Sequence, residues 1–191
     1  GGFPVEVLAP HATFEEAAFL LWHDRLPDAA ELRDLHDRFV AARELPGEVV
    51  DLLRAAADRN APVIDALRMA AAALSLDDPD PQHNDPANNL RRAEQLCARF
   101  PVVVATYWRM RHGQAPIAPR ADLDHAANCL YMLNGTAPDA EAARALETYF
   151  VTVIDHGMNA STFTARVITS TQSDLYSAIT GAIGALKGPA H

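Results

Sequence analysis

The stretch VTVIDHGMNASTFTARV, Val151 to Val167, decides how this chain is read. An apolar run with helical spacing reaches Asp155-His156-Gly157. A polar cluster, Met158-Asn159-Ala160-Ser161-Thr162, follows, and then a second helical run begins. Glycine closes helices because it takes a positive φ without steric cost. Asn and Ser open them because a short side-chain oxygen accepts a first-turn N–H. The stretch therefore predicts helix, turn, helix, with Asn159 or Ser161 as the N-cap. His156 falls at the end of the first helix, where the dipole favours a protonated imidazole. It also stands beside the start of the second, where free N–H groups favour an anion. Two readings remain open from spacing alone: a capped turn carrying an exposed histidine, or a donor set beside an anion site.

Outward from this stretch, nearly every segment reads as helix. Thr13 with Glu16, and Asp28 with Glu31, fit capping boxes ahead of apolar stripes. A helix through Val49, Leu52, Leu53 and Ala56 follows, and Pro62 opens another at a position where its missing N–H is harmless. Residues 77–89, DDPDPQHNDPANN, are rich in turn formers and predict a loop. A long helical run from Asn89 to His112 contains Pro101, which should kink or break it near Phe100. Asn134-Gly135 closes DLDHAANCLYMLNG, and Gly157 closes PDAEAARALETYFVTVIDHG. The last helix is expected from about Ala160 to Leu186, with Ala178, Gly181, Ala182, Gly184 and Ala185 offering close approach to a partner in the same chain or in a second copy. With strand-like alternation essentially absent, the expected fold class is all-α.

The bulk numbers narrow the function classes. The chain has 191 residues, 49% of them hydrophobic, which suffices for one sizeable core and excludes a disordered chain. A net charge of -9 argues against a nucleic-acid partner, because phosphate binding needs a basic face. No apolar run is long enough to span a bilayer and no signal pattern opens the sequence, so a soluble protein without membrane partners is expected. Cys97 and Cys129 lie in apolar helical runs and read as reduced, buried thiols, which fits a cytoplasmic compartment.

Other chemistry is thinly represented. Asp124-His125 and Asp155-His156 resemble metal-binding dipeptides, but neither puts several ligands on one face, so no metal is expected. The serines lack a nucleophile-elbow motif, and there is no glycine-rich phosphate loop. Tyr107, Trp108, Arg109 and Arg111 read as a basic helix end covering aromatic core. His11, His23, His36, His83 and His112 read as surface or helix-end residues. His191 follows ALKGPA, in which Gly188 and Pro189 end the helix, and a loop position just past a helix end suits action on a ligand. The alternative is a mobile terminal residue.

Specific motifs go further. DHGMNASTFTARV (155–167) and DLYSAITGAIGALKGPAH (174–191) resemble the citrate synthase family. GGFPVEVLAPHATFEEAAFLLWHDRLP (1–27) is similar to that family's R-G-Y-P-[IV]-x-x-L-A stretch and the F-E-E-x-A-x-L-L and G-x-L-P blocks after it. DHAANCLYMLNG and PDAEAARAL resemble the segments between. The resemblance implies an all-α, multi-helical fold in which residues 1–191 form part of the large helical domain, with the smaller closing domain absent from this chain. It also implies a homodimer. The implied activity is that of a tricarboxylic acid cycle acyltransferase, condensing acetyl-CoA with oxaloacetate and water to give citrate and CoA. Acetyl-CoA is then a substrate, and no cofactor is expected. Close relatives use propionyl-CoA to make 2-methylcitrate, and a non-catalytic helical dimerisation module of the same fold is the remaining alternative.

Residue by residue, the resemblance implies that His191, in the family's G-P-x-H-G-G motif, is the catalytic histidine that hydrogen-bonds the acetyl carbonyl. His156 matches the histidine that donates to oxaloacetate, and Asn159 the asparagine of the N-A-S run, so both are candidate substrate-binding residues. The departures are plain. The sequence stops within G-P-x-H-G-G, Gly1 stands where the family has arginine, and the second catalytic histidine, the catalytic aspartate and the carboxylate-binding arginines have no counterparts here. The expectation is a partial enzyme, inactive as a 191-residue piece.

Overall fold

The computed structural model describes residues 2–191, and Gly1 lies outside them. Among the described residues the fold is all-α with no strand. Its helices are α1 (Val5–Leu8), α2 (Phe14–His23), α3 (Ala29–Ala42), α4 (Gly47–Ala57), α5 (Val63–Ala73), α6 (Pro86–Arg111), α7 (His125–Asn134), α8 (Ala140–Val153), α9 (Ala160–Ser170) and α10 (Leu175–Leu186). Among the described residues, no helix is long and apolar enough to cross a membrane. Nor does any group of three or more His, Cys, Asp or Glu side chains stand ready to hold a metal ion.

The helix starts follow local chemistry. Thr13 accepts from the Glu16 N–H while the Glu16 carboxylate accepts from the Thr13 N–H, and Asp28 and Glu31 do the same. Gly135 closes α7 at φ 85°. Three expectations need correction. First, Pro101 does not break the run, since α6 continues through it as one helix. The proline removes one backbone bond, and the burial of Leu96, Ala98, Val102 and Val103 around it offsets that loss. Second, α6 begins at Pro86, capped by Asp85, so the 77–89 loop is shorter than its composition suggests. Third, the final run is two helices. Thr169, Ser170 and Thr171 each turn a hydroxyl back onto a carbonyl of the preceding turn, and Gln172 takes φ 65°. Such back-bonding competes with the helical ladder. Asp174 then starts α10 by accepting from the N–H and hydroxyl of Ser177.

The chain forms two compact units, residues 1–43 with 117–156, and residues 44–116 with 157–191. In the first, Arg144 of α8 donates to the Ala9 and Ala12 carbonyls at 2.5 and 3.1 Å, fixing the α1–α2 junction. The Glu147 carboxylate accepts from the Phe14 N–H and from the Ala126 N–H, so one α8 side chain answers the unpaired donors opening both α2 and α7. Burial pushes the Glu147 carboxyl above its ordinary value, against these hydrogen bonds. Beside it, His125 stacks on Phe14 with ring centroids 4.4 Å apart and meets Phe39 and Phe150 edge-on. Burial and the nearby Arg43 push His125 down to about 3, so it is a neutral aromatic element of the core. His36, expected at the surface, is only partly exposed and faces both Glu15 carboxylate oxygens at 3.1 Å.

The second unit packs α4, α5 and α6 around Val49, Leu53, Ala70, Leu74, Val103 and Tyr107. Arg92 is fully buried at the start of α6. Its Nε donates to Asp78 at 2.6 Å, and its other nitrogens reach the carbonyls of Asp80 and His83, binding the 77–85 segment to the helix. Tyr176 of α10 donates to the same Asp78 oxygen at 3.2 Å. Cys97 and Cys129 are free thiols, raised by burial to about 12 and about 11. Tyr107 is buried while Trp108 is exposed, which fits a polar helix end over aromatic core.

The small residues of α10 find their partners within this unit, against α9 and α5. A Cβ on Gly181 would lie 2.2 Å from Ile168 Cδ1, whereas one on Gly184 would meet only Arg68 Cδ, at an ordinary 3.7 Å. Gly184→Ala should therefore stabilise the chain by about 0.5–1 kcal/mol through helix propensity. Gly181→Ala should lose that gain to the displaced Ile168 side chain. Paired thermal melts check this, and equal shifts for the two variants would contradict the close approach.

Candidate active site

The candidate residues sit where helices end. In the first unit, α8 stops at Val153, three residues before His156, rather than continuing to Gly157. The run Val151-Thr152-Val153-Ile154 is entirely β-branched and crowds a helical backbone, and the Thr152 hydroxyl bonds back to the Thr148 carbonyl. His156 therefore stands beyond the last turn of α8 rather than within it. Its side chain is exposed. Gly157 follows at φ 63°, the left-handed conformation the sequence required of it.

In the second unit, the choice of N-cap for α9 is settled by geometry. Asn159 accepts from the Thr162 N–H at 2.8 Å, and the Asn159 carbonyl receives the Phe163 N–H. Asn159 thus holds the start of the helix, and Ser161 is left free for a different contact. Its hydroxyl lies 2.7 Å from Nε2 of His191. His191 arrives through a tight turn, its N–H donating to the Gly188 carbonyl at 3.0 Å, just past the end of α10. The structure thus brings a loop imidazole onto the first turn of α9, where N–H groups point outward and favour negative charge. Beside Ser161, α9 and α10 enclose a recess of about 490 Å³, with Thr162, Arg166, Ala178 and Ile179 among its walls. Sequence reasoning weighed Ser161 only as a cap or a nucleophile. Its position two residues after Asn159, at the start of the second helix, was the available signal.

This arrangement has a family. The chain matches, over residues 1–191, the family model described as citrate synthase, C-terminal domain. The chain belongs to the citrate synthase family. It is 44% identical over 190 residues to a 2-methylcitrate synthase of Mycobacterium tuberculosis, covering 100% of this chain and 48% of that protein. It is 42% identical over 193 residues to a citrate synthase of Haloferax volcanii, covering 100% of this chain and 51% of that one. The crystal structure of citrate synthase from Pyrobaculum aerophilum superposes with a TM-score of 0.93 at 40% identity, covering 100% of this chain and 49% of the other. The chain thus spans about half the length of the curated relatives it matches. Its all-α architecture is that of the citrate synthase large domain, and citrate synthases and 2-methylcitrate synthases are acyltransferases.

Proposed function

We propose that this chain supplies the large-domain part of a citrate synthase, condensing acetyl-CoA with oxaloacetate and water to citrate and CoA, with both compact units belonging to that one domain. The contact between Ser161 and His191 carries the reading. When the serine hydroxyl donates to Nε2, the neutral imidazole carries its remaining proton on Nδ1, and a fixed donor is then available to the carbonyl oxygen of the thioester. As the acetyl group loses its α-proton, charge grows on that oxygen, and a donor already in place stabilises it without reorganisation. The general base is not among these residues, so turnover belongs to a longer protein containing this chain. His156 is assigned to the oxaloacetate carboxylate or carbonyl oxygen, and Asn159, as a candidate substrate-binding residue, to holding the start of α9.

The experiment uses the complete gene product. Oxaloacetate at about 100 times its Kd should stabilise it by roughly 2.7 kcal/mol in a thermal melt, and His156→Ala should abolish that shift. A shift that survives the substitution removes His156 from the site, and no shift in the parent protein favours the non-catalytic helical module instead. The 44% identity to a 2-methylcitrate synthase supports a second reading, with propionyl-CoA as the preferred acyl donor. The ratio of kcat/KM for the two thioesters decides between them.

A second copy of the chain is the proposed partner, without nucleic acid or membrane. No residue of α9 is buried, and Phe163 and Val167, four residues apart on it, are 62% and 49% exposed. An apolar face of this kind on a helix so closely packed against α10 suits a homodimer contact. Phe163→Glu should convert a dimer to monomers in sedimentation equilibrium, and an unchanged mass would move the interface elsewhere. The free thiols, Cys129 buried and Cys97, expected to be buried, only partly so, support a reducing compartment, the cytoplasm.

A further inference from the structure

We infer that the ion pair between Lys187 and Asp65 is a positioning device for His191, tying the end of α10 to the start of α5 so that the imidazole is delivered to Ser161. This rests on the reading above for its consequence in turnover, but its geometry stands apart from it. Lys187 is the residue that closes α10, and its Nζ lies 2.8 Å from both oxygens of Asp65. Asp65 belongs to the first turn of α5, so the pair sets a cation at a helix C-terminus against an anion at a helix N-terminus, and both dipoles favour it. The hydrogen bond from Lys187 is the chief reason that the Asp65 carboxyl is held below its ordinary value. Arg68 adds a third contact to Asp65 at 3.4 Å, with its stem lying along Gly184 of α10.

The platform beneath Asp65 is itself fixed. The buried Tyr107 donates its hydroxyl to the Ala61 carbonyl just ahead of α5, and Arg111 donates to the same carbonyl at 3.1 Å. From Lys187 only Gly188, Pro189 and Ala190 intervene before His191, and the turn is closed by the hydrogen bond from the His191 N–H to Gly188. Proline adds a fixed φ to this short connection. The imidazole is thus held through Ser161 at the ring and, at the backbone, through a four-residue span whose near end is clamped to α5. The Lys187 side chain is 48% exposed. Exposed ion pairs add little to global stability, so the contribution of this one lies in geometry.

The test compares Lys187→Met, which keeps the stem and removes the charge, with Lys187→Arg, which keeps the pair. Asp65→Asn is a second disruption should the methionine variant fold poorly. Imidazole nitrogen spectra of the isotope-labelled chain read His191 directly. Lys187→Met and Asp65→Asn should move the His191 nitrogens to the shifts seen in Ser161→Ala, with little change in melting temperature, and Lys187→Arg should retain the parent shifts. In the complete gene product, Lys187→Met should lower kcat roughly tenfold or more with the oxaloacetate KM unchanged, and Lys187→Arg should restore it. His191 signals that stay at parent values while the melting temperature falls would overturn the inference, because the pair would then be purely structural. If the complete gene product shows no synthase activity while the His191 signals respond as described, the positioning role holds and the proposed reaction fails.

Discussion

Replacing His191 with alanine in the complete gene product should lower kcat by roughly 10²–10³-fold, the loss seen when one preorganised donor to a developing oxyanion is removed. In the proposed reaction the effect should fall on kcat and kcat/KM together, because the donor acts chiefly on the enol or enolate as it forms. Oxaloacetate binding should remain if, as proposed, His156 holds that ligand. Ser161→Ala should show a smaller loss of the same kind: it leaves the imidazole in the site but releases the ring nitrogen that Ser161 occupies at 2.7 Å. Steady-state kinetics with each thioester, joined to oxaloacetate melts, separates these effects. Unchanged turnover in His191→Ala would remove this residue from the chemistry.

The largest effect on stability should come from Arg92→Met, which is expected to cost about 3–5 kcal/mol. Arg92 is fully buried and donates to Asp78 and to the Asp80 and His83 carbonyls. Among the described residues, Arg91, 3.5 Å from Asp78, and the Tyr176 hydroxyl are the only other side chains against that carboxylate. Removing Arg92 takes the nearest cation, at 2.6 Å, from a carboxylate whose side chain is 1% exposed and frees two carbonyls that now order the segment ahead of α6. Acid should expose the same network. Burial opposes charge on Asp78, but hydrogen bonds from Arg92 and the Asp80 N–H prevail and hold its pKa below the ordinary value. A carboxyl with a depressed folded-state pKa binds fewer protons folded than unfolded. Its stabilisation is therefore complete above the unfolded value, about 3.8, and is lost as pH falls through the folded value. Denaturant melts from pH 7 to pH 3 should show this loss in the parent chain and a flatter profile in Arg92→Met. Parallel profiles would mean that the pair contributes nothing to acid sensitivity.

Much of the fold was legible because helix starts are written locally. Thr13 with Glu16 and Asp28 with Glu31 each fix a helix start with residues three apart, and the structure contains both boxes. The helix ends were harder. The sequence placed Gly157 at the end of α8, but β-branched crowding stops the helix at Val153. The break between α9 and α10 was carried by hydroxyl side chains whose competition with the backbone has no periodic signature. Pairings across long separations left no trace in spacing. Glu147 answers Phe14 from 133 positions away, and Ser161 meets His191 from 30. Of the candidate site, motif resemblance supplied His156, Asn159 and His191, whereas only coordinates could reveal the serine that holds the imidazole and the lysine that anchors its turn.

The two units interleave along the chain: each takes one early segment and one late one. Neither can therefore close until its late segment has left the ribosome. The helices of residues 44–116 must wait for α9 and α10 before Tyr176 and Gly181 can dock, and the first 43 residues must wait for α8. Sequence-distant contacts of this kind slow folding and leave apolar surface uncovered during synthesis. A nascent chain released after α6 would hold neither unit whole and would leave the faces that later helices cover open to water.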